Sequence, residues 1–316
     1  MDADFIDADF IDADYDVIIL GAGAAGLSAC VYTSRAMMKT LVLESLGAGG
    51  QLLITDEIEN YPGFPEGVKG PLLSQDMETQ ALRFGGELEY AEVEGIDDID
   101  KPVKVVHTYD KDYTAKSIII ATGGAHNKLG VPGEDELAGR GVSYCAVCDG
   151  NFFRGQDVVV VGGGDSALDE GIYLSAIVNS VTFVHRRDEL RATKVLQERA
   201  FANEKIKFLW SHVVENFVGN EFLEAAKVKN LKTEEVYDYP AAAAFIYVGF
   251  HPNSEYLKGV LDMDLLGHLY TDMHMRTKVH GVYACGDIRA ESTRQLGAAV
   301  GDGITAALAA YHDLLD

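Results

Sequence analysis

The chain has 316 residues, enough for two domains at about 150 residues each. Its 26 Lys and Arg residues against 50 Asp and Glu residues give a formal net charge of −24. This charge argues against nucleic acids and anionic membrane surfaces as partners, because both repel a polyanion. Four cysteines are too few for a disulfide scaffold and fit a reducing compartment with special-purpose thiols.

An acidic repeat opens the chain. Residues 2–14 read DADFI, DADFI and DAD, a five-residue period that fits neither a helix nor a strand. We predict an acidic leader over residues 1–15, with no chemistry assigned. It lacks the basic residues of a secretory or mitochondrial targeting segment, and the longest apolar run, 17–31, is interrupted by glycines and short for a bilayer span. These features predict a cytoplasmic protein.

The first strand–helix–strand pattern follows the leader. Residues 16–21 predict a buried parallel strand, 26–38 a helix and 40–44 a second strand. The connecting loop reads GAGAAG and fits G-x-G-x-x-G, in which Gly21 makes the turn, Gly23 admits a pyrophosphate and Gly26 allows close helix packing. Glu44, at the end of the second strand, suits the hydroxyls of a ribose. The alternative is a glycine-rich structural turn.

A second unit of the same pattern begins near residue 157. A strand over 157–162, a helix from about 166 to 178 and a strand over 181–185 surround a GGGDSA loop, with Ala in the third glycine position. The distance between the two loops predicts two nucleotide-binding domains rather than one enlarged sheet.

The second unit ends its second strand with basic residues instead of an acid. The sequence there is HRRDELR, which places Arg186, Arg187 and Arg191 near the register that Glu44 holds in the first unit. Guanidinium groups suit a 2′-phosphate. The two loops therefore indicate an unphosphorylated dinucleotide such as FAD at the first site and NADPH at the second. A solvated basic patch is the alternative for the arginines.

Later segments suggest that one domain is inserted in the other. Residues 241–249 and 281–286 are apolar and end in Gly, and residues 296–315 predict an Ala-rich amphipathic helix. The crossings near 121–124 and 249–252 have the pattern of paired hinges. We predict one domain over 16–122 and 250–316, and an inserted domain over 123–249.

The cysteines divide into a pair and two single residues. Cys145 and Cys148 form a C-x-x-C next to the second unit, whereas Cys30 and Cys285 stand alone in apolar elements. Zinc usually needs two such pairs or a Cys/His set, so the pair indicates a redox dithiol and no metal site. The adjacent Asp149 is either a proton donor and acceptor or a solvated loop residue.

Taken together and in this order, the motifs resemble the low-molecular-weight thioredoxin reductases. The resemblance runs from about residue 15 to the C-terminus and includes GGQLLITDEIENYPGFPEG, SIIIATG, GVSYCAVCDG, GGGDSAL, HRRDELRA, VGFHPN and GVYACGDIRAESTRQ. It implies an α/β fold with two Rossmann-like domains, the NADPH domain carrying the cysteines and inserted in the FAD domain. Two positions depart from the pattern usual in that family: Ala24 occupies a position that is often Pro, and Thr293 occupies one that is often Tyr.

The resemblance also implies site residues. Cys148 would lie against the flavin, Cys145 would attack the disulfide of the partner, and Asp149 would act as acid and base. The FAD site would comprise Gly21, Gly23, Ala24, Ala25, Gly26, Glu44, Gly50, Gln51, Leu52, Asn60, Ala121, Thr122, Gly123, Gly286, Asp287, Arg294, Gln295 and Leu296. The NADPH site would comprise Gly162, Gly164, Asp165, Ser166, His185, Arg186, Arg187 and Arg191.

The implied reaction carries electrons from NADPH through FAD and the cysteine pair to thioredoxin or a thioredoxin-like protein, with rotation of the NADPH domain about its hinges. A homodimer is also implied. One rival is a flavoprotein that takes electrons from ferredoxin or passes them from a dithiol to oxygen, against which the three arginines weigh. Another is a non-enzymatic redox sensor, supported only by the cysteine pair and the acidic surface.

Overall fold

The computed structural model describes residues 12–55, 57, 58 and 60–315. The chain divides into two compact units, a discontinuous unit of Met1–Ala125 with Pro252–Asp316 and an inserted unit of His126–His251. The sequence-based expectation set these connections at 122/123 and 249/250. Most of the predicted acidic leader, residues 1–11, lies outside the described residues.

The discontinuous unit is built around a parallel sheet with an antiparallel edge. Its elements before the insertion are β1 (Tyr15–Leu20), α1 (Ala24–Arg35), β2 (Thr40–Glu44), β3 (Glu57–Ile58), β4 (Val68–Lys69), α2 (Gly70–Arg83), β5 (Glu87–Tyr90), β6 (Val93–Asp97), β7 (Lys104–Thr108), β8 (Asp112–Ile120) and β9 (Gly124–His126).

The inserted unit follows, and the chain then returns to the discontinuous unit. The elements are β10 (Val142–Ser143), α3 (Ala146–Asp149), β11 (Asp157–Gly162), α4 (Asp165–Ser175), β12 (Ser180–His185), α5 (Lys194–Phe201), β13 (Ile206–Trp210), β14 (His212–Gly219), β15 (Leu223–Asn230), β16 (Val236–Pro240), β17 (Ala243–Tyr247) and β18 (Phe250–Pro252), and after the return β19 (Val282–Ala284) and α6 (Leu296–Asp313).

The main sheet of the discontinuous unit has the order β5-β2-β1-β8-β7-β6, and β19 pairs with the later part of β8. Strands β5, β2, β1, β8 and β19 are parallel. Val17 and Ile19 face a core shared with α1 and α6, while Ile18 and Leu20 face a second core on the other side. Burial on both faces explains why β1 is continuously apolar.

Helix α1 begins at Ala24, two residues before the sequence-based expectation, and ends at Arg35 rather than near residue 38. Met37 has a φ of 63°, a left-handed conformation that cannot continue a right-handed helix. The short turn that follows leads directly into β2.

The inserted unit contains a five-stranded parallel sheet, β10-β17-β11-β12-β13, and a three-stranded antiparallel sheet, β14-β15-β16. Val158 and Val160 pack toward helices α4 and α5, whereas Val159 and Val161 pack toward the antiparallel sheet. The run of four valines in β11 is thus buried on both faces, as the central strand of an α/β layer requires. None of the helices in the described ranges is both long and apolar enough to cross a membrane.

Helices α1 and α6 approach each other closely at Gly303. A Cβ on Gly303 would lie 2.9 Å from the carbonyl carbon of Ala25, whereas a Cβ on Gly301 meets nothing within 4 Å. The absence of a side chain at Gly303 therefore sets the spacing between the two helices.

We expect Gly303→Ala to lower the free energy of unfolding by about 1–3 kcal/mol through overpacking. Gly301→Ala is the matched control on the same helix, and it should leave stability unchanged or raise it by up to about 1 kcal/mol, since Ala favours helix over Gly. Denaturant unfolding of both variants is the measurement. Equal stability of the two would contradict the close approach at Gly303.

Candidate active site

The first glycine turn connects β1 to α1 and leaves open space at its middle. Gly21 has a φ of +98°, and its Cβ would lie 2.6 Å from the Ala121 carbonyl oxygen. A Cβ on Gly26 would collide with the Gly21 carbonyl, but one on Gly23 meets nothing within 4 Å. Side chains are therefore excluded for packing at two positions, while at Gly23 the backbone is accessible to a phosphate group.

Glu44, at the end of β2, is tied to this turn. Its Oε2 accepts the Ala22 N–H at 2.8 Å, and its Oε1 accepts the Leu46 N–H at 3.0 Å. A carboxylate oxygen can accept more than one hydrogen bond, so Glu44 retains acceptor capacity for ribose hydroxyls. Open space at Gly23 beside a fixed carboxylate fits an unphosphorylated dinucleotide such as FAD.

Two further predicted segments border the same turn. The Gly49 N–H donates to the Ala22 carbonyl at 2.7 Å, and a Cβ on Gly50 would lie 3.4 Å from the Cα of Gly23. Gln51 donates through Nε2 to the Gly124 carbonyl at 3.1 Å. The structure therefore brings the residues around Gly50 and the segment after β8, which holds Ala121, Thr122 and Gly123, to the edge where Gly23 lies. Leu52 is buried in a small apolar cluster next to them.

The predicted carboxylate Asp287 follows β19 in a short 3-10 helix, Gly286–Ile288. Asp302 holds this turn: its Oδ2 accepts the Gly286 N–H at 3.2 Å and the Arg289 Nε–H at 2.6 Å. The Ser292 hydroxyl donates to Asp287 Oδ1 at 3.2 Å. Burial deprives the ionised Asp287 carboxylate of the solvation it has in water, and this raises the pKa of the carboxyl.

The remaining predicted flavin residues cluster at the start of α6. Gln295 is the N-cap of this helix and Leu296 its first residue. Asn60 donates through Nδ2 to Gln295 Oε1 at 3.2 Å, which joins two segments that are distant in sequence. Arg294 has a φ of 52°, and its Nη2 lies 3.4 Å from His268 Nε2.

The second glycine turn connects β11 to α4. Gly162 has a φ of +152° and packs against the Tyr247 carbonyl, while Gly164 has nothing within 4 Å of a would-be Cβ. A Cβ on Gly163 would collide with the imidazole of His185. This ring is buried, which lowers the pKa of His185, and its Nε2 lies 3.0 Å from the Glu189 carbonyl. The buried His185 ring therefore packs against the turn at Gly163.

The arginine loop is attached to this turn by its backbone. The Arg191 N–H donates to the Gly163 carbonyl at 2.8 Å, and the Thr193 N–H donates to Asp165 Oδ1 at 2.6 Å. Asp165 and Ser166 begin α4. Asp165, predicted to contact NADPH, thus also holds the loop that carries the arginines.

The arginine side chains point to solvent. Arg186, Arg187 and Arg191 are exposed, and in the described part of the chain no ion pair engages them. The adjacent Asp188 is bonded instead to Lys232 at 2.7 Å and to the Ser211 hydroxyl at 2.6 Å. Three exposed cations next to a glycine turn fit a phosphate-bearing ligand such as NADPH.

Cys145 and Cys148 form a disulfide in the inserted unit, with a Cα–Cα distance of 5.3 Å. Cys145 is the N-cap of α3, and its Sγ accepts the Cys148 N–H at 3.2 Å. Both cysteines are half-buried. The bonded pair fits the redox interpretation. No group of three or more His, Cys, Asp or Glu side chains suited to a metal ion occurs among the described residues.

Two residues that the sequence did not single out hold the disulfide turn. The Ser143 hydroxyl accepts the Cys145 N–H at 3.1 Å and donates to Asp149 Oδ2 at 2.6 Å. The Tyr247 hydroxyl accepts the Ala146 N–H at 2.7 Å. The only feature of the sequence that points to Ser143 is its position two residues before Cys145. Tyr247 is about 100 residues away along the chain, and nothing in the sequence marks it.

Known proteins resemble this chain over most of its length. The family model for pyridine nucleotide-disulphide oxidoreductases matches residues 15–303. A thioredoxin reductase of Bacillus subtilis is 48% identical over 303 residues, covering 94% of each chain. The chain belongs to the thioredoxin reductase family.

Solved structures of this family have the same fold. A thioredoxin reductase from Streptococcus pyogenes is 45% identical, with a TM-score of 0.92 over 95% of this chain and 98% of that one. One from Giardia duodenalis is 35% identical, with a TM-score of 0.90 over 96% and 99%. The predicted α/β class with two Rossmann-like domains, one inserted in the other, is confirmed, as are FAD and NADPH as cofactors and a flavoprotein oxidoreductase as the class of enzyme.

We expect Asp287→Asn to stabilise the flavin-free protein at neutral pH. Because the pKa of Asp287 is raised in the folded state, folding binds protons and stability is lost as pH rises from the ordinary value of 3.8 through the raised one. The neutral amide does not suffer this loss. Thermal unfolding of the flavin-free protein between pH 4.5 and pH 8 is the measurement.

The advantage of the Asn variant should grow with pH and then level off. Asp110→Asn, at an exposed position, is the control and should show no such trend. An Asn variant whose advantage did not change with pH would refute the argument from burial.

Proposed function

We propose that this chain reduces the disulfide of thioredoxin or a thioredoxin-like protein with electrons from NADPH. The observation that carries the proposal is the inserted unit, in which a disulfide and a glycine turn with three solvent-facing arginines occur together. A structural disulfide would need no nucleotide site, and a simple dehydrogenase would need no C-x-x-C.

FAD is held by the discontinuous unit in this proposal. The pyrophosphate lies at the turn of Gly21, Gly23, Ala24, Ala25 and Gly26, where backbone N–H groups of α1 are available. Glu44 accepts from the ribose, and Asp287 accepts from the ribityl hydroxyls. When bound, the flavin supplies a relay between a hydride donor and thiol chemistry.

The flavin ring is assigned to the second set of segments. The start of α6, with Arg294, Gln295 and Leu296, would border the ring. Asn60, bonded to Gln295, and the segments of Gly50–Leu52 and Ala121–Gly123 complete the site.

NADPH is held by the inserted unit. Gly162, Gly164 and the first residues of α4, Asp165 and Ser166, receive the pyrophosphate. His185 supports the turn from beneath, and Arg186, Arg187 and Arg191 bind the 2′-phosphate. The chain has a charge of −24, yet no acidic side chain among the described residues pairs with these three arginines. This supports the assignment, since the exposed guanidinium groups remain available for a phosphate.

Thiol–disulfide exchange transfers the electrons to the partner. In the reduced protein, the Cys145 thiolate attacks the partner disulfide, forming a mixed disulfide and releasing one partner thiolate, which takes a proton from Asp149. The Cys148 thiolate then attacks Cys145 Sγ, which restores the Cys145–Cys148 disulfide and releases the second partner sulfur as a thiolate, and this thiolate takes its proton from water. In the disulfide, the Cys148 N–H donates to Cys145 Sγ.

The proposal extends to the compartment and the assembly of the protein. A dithiol that must be returned to the reduced form repeatedly suits the reducing cytoplasm, and we place the protein there. Family resemblance supports a homodimer.

We expect Cys145→Ser to retain reduction of its flavin by NADPH and to lose turnover of thioredoxin, because the attacking sulfur is absent. Cys148→Ser, the control at the other sulfur, should instead change the visible flavin spectrum, since Cys148 is assigned next to the ring. Anaerobic NADPH titration and steady-state assays with thioredoxin measure both properties. Full turnover by Cys145→Ser would overturn the assignment of the attacking sulfur.

We expect the double substitution Arg186→Ala and Arg187→Ala to raise KM for NADPH strongly and to leave NADH kinetics nearly unchanged. Hydrogen bonds to a charged phosphate should give the wild type a preference for NADPH of about 10²–10³ in kcat/KM. The exposed Arg199 of α5 offers a matched control, as Arg199→Ala removes one cation of the same unit outside the loop. If the ratio of the two cofactor efficiencies did not change, the three arginines would be a surface patch.

A further inference from the structure

The hydroxyl of Ser143 joins the attacking cysteine to the proposed proton donor. Ser143 ends β10 and is 5% exposed. Its Oγ accepts the Cys145 N–H at 3.1 Å, lies 2.6 Å from Asp149 Oδ2 and lies 3.3 Å from the Cys145 carbonyl oxygen. One hydroxyl therefore contacts both ends of the five-residue segment 145–149, which carries the disulfide.

A count of protons and lone pairs shows what this hydroxyl can do. A serine hydroxyl has one proton to donate and two lone pairs that accept. One lone pair is used by the Cys145 N–H. With Asp149 ionised, the hydroxyl proton must go to Oδ2, because a carboxylate only accepts. With Asp149 protonated, the carboxyl can donate to the second lone pair, and the hydroxyl proton can turn to the Cys145 carbonyl.

We propose that Ser143 is a positioning residue that keeps Asp149 at the disulfide turn in both of its protonation states. The proposal rests on the proposed function. In the exchange step, the Cys145–partner S–S bond forms, the partner S–S bond breaks, and the proton of Asp149 passes to the departing thiolate. Asp149 then regains a proton from water, and Ser143 turns its hydroxyl back, so neither state of the carboxyl loses its partner.

Tyr247 and Glu170, which also lie near the turn, cannot take the place of the Ser143 hydroxyl. Tyr247 of β17 uses its hydroxyl to accept the Ala146 N–H, and burial raises its pKa, so it stays a neutral phenol. Glu170 of α4 also lies near Tyr247, and its pKa is raised by burial and by Asp169. Among the groups near the turn, the Tyr247 hydroxyl interacts electrostatically with both Asp149 and Glu170, and Cys145 and Cys148 precede Asp149 in the chain.

The test compares substitutions at Ser143 in the complete flavoprotein. Ser143→Ala should slow thioredoxin reduction by the NADPH-reduced enzyme about tenfold, the scale of one hydrogen bond to a charged group, and should move the pH–rate profile to higher pH. Ser143→Thr retains the hydroxyl and should restore the rate and the profile, whereas the similarly shaped Ser143→Val should not. This Thr and Val pair decides the question if the Ala variant does not fold.

Two controls separate positioning from general damage. Ser175 is a buried serine of the same unit with its hydroxyl bonded to Ile172 and Asn203, and Ser175→Ala should leave the pH–rate profile unchanged. In an Asp149→Asn background, where no proton can be delivered, Ser143→Ala should cause no further loss of rate. A merely structural role would instead give an additional loss.

Equal rates and pH profiles for the Thr and Val variants, or an additive loss in the Asp149→Asn background, would overturn the inference while thioredoxin turnover by the wild type remained. If the wild type accepted electrons from NADPH but did not reduce thioredoxin, the proposed function would fail, and this inference with it.

Discussion

The absence of a side chain at Gly21 and Gly26 is the constraint on which the discontinuous unit depends. These two positions let β1, β8 and α1 approach one another at backbone distance, and Gly303 does the same for α6 against α1. With β2, β1, β8 and β19 adjacent and parallel, the segments that follow them meet at one edge of the sheet. Glu44, Ala121 and Asp287 come to one place because of strand order, although they are far apart in sequence.

The inserted unit has the same backbone arrangement at its glycine turn, but the residues after its next strand carry the opposite charge. Both units start a helix from a glycine with open space beside it, Gly23 in one and Gly164 in the other. At the end of the next strand, the first unit has a carboxylate bonded to the turn, and the second has a neutral buried His185 followed by arginines. In the proposed function the fold thus supplies the pyrophosphate site twice, and a few residues after one strand decide which adenosine ribose is accepted.

The glycine turns, the strand after each of them and the redox pair could be predicted from sequence because their signals are local. Each depends on residues within about 30 positions, the span of one βαβ unit. Two sets of hydrogen bonds could not be predicted in this way. Asp302 accepts from the Gly286 N–H and from the Arg289 side chain, and the Tyr247 hydroxyl accepts from the Ala146 N–H. These contacts depend on how strands are ordered in the sheet and on which side chains then face each other, information that periodicity does not contain.

The four cysteines show how one chain can keep some thiols inert and others reactive. Cys30 and Cys285 are buried, and burial raises the pKa of both thiols, so neither forms a thiolate readily. Cys145 and Cys148 are half-buried at the start of a short helix, and a backbone N–H is directed at Cys145 Sγ. Exchange requires a thiolate with access to its target. Exchange with the partner disulfide is therefore expected at Cys145 and Cys148 and not at the two buried thiols. The apolar packing around Cys30 and Cys285 therefore serves the redox chemistry too, because it prevents these two thiols from competing for the partner disulfide.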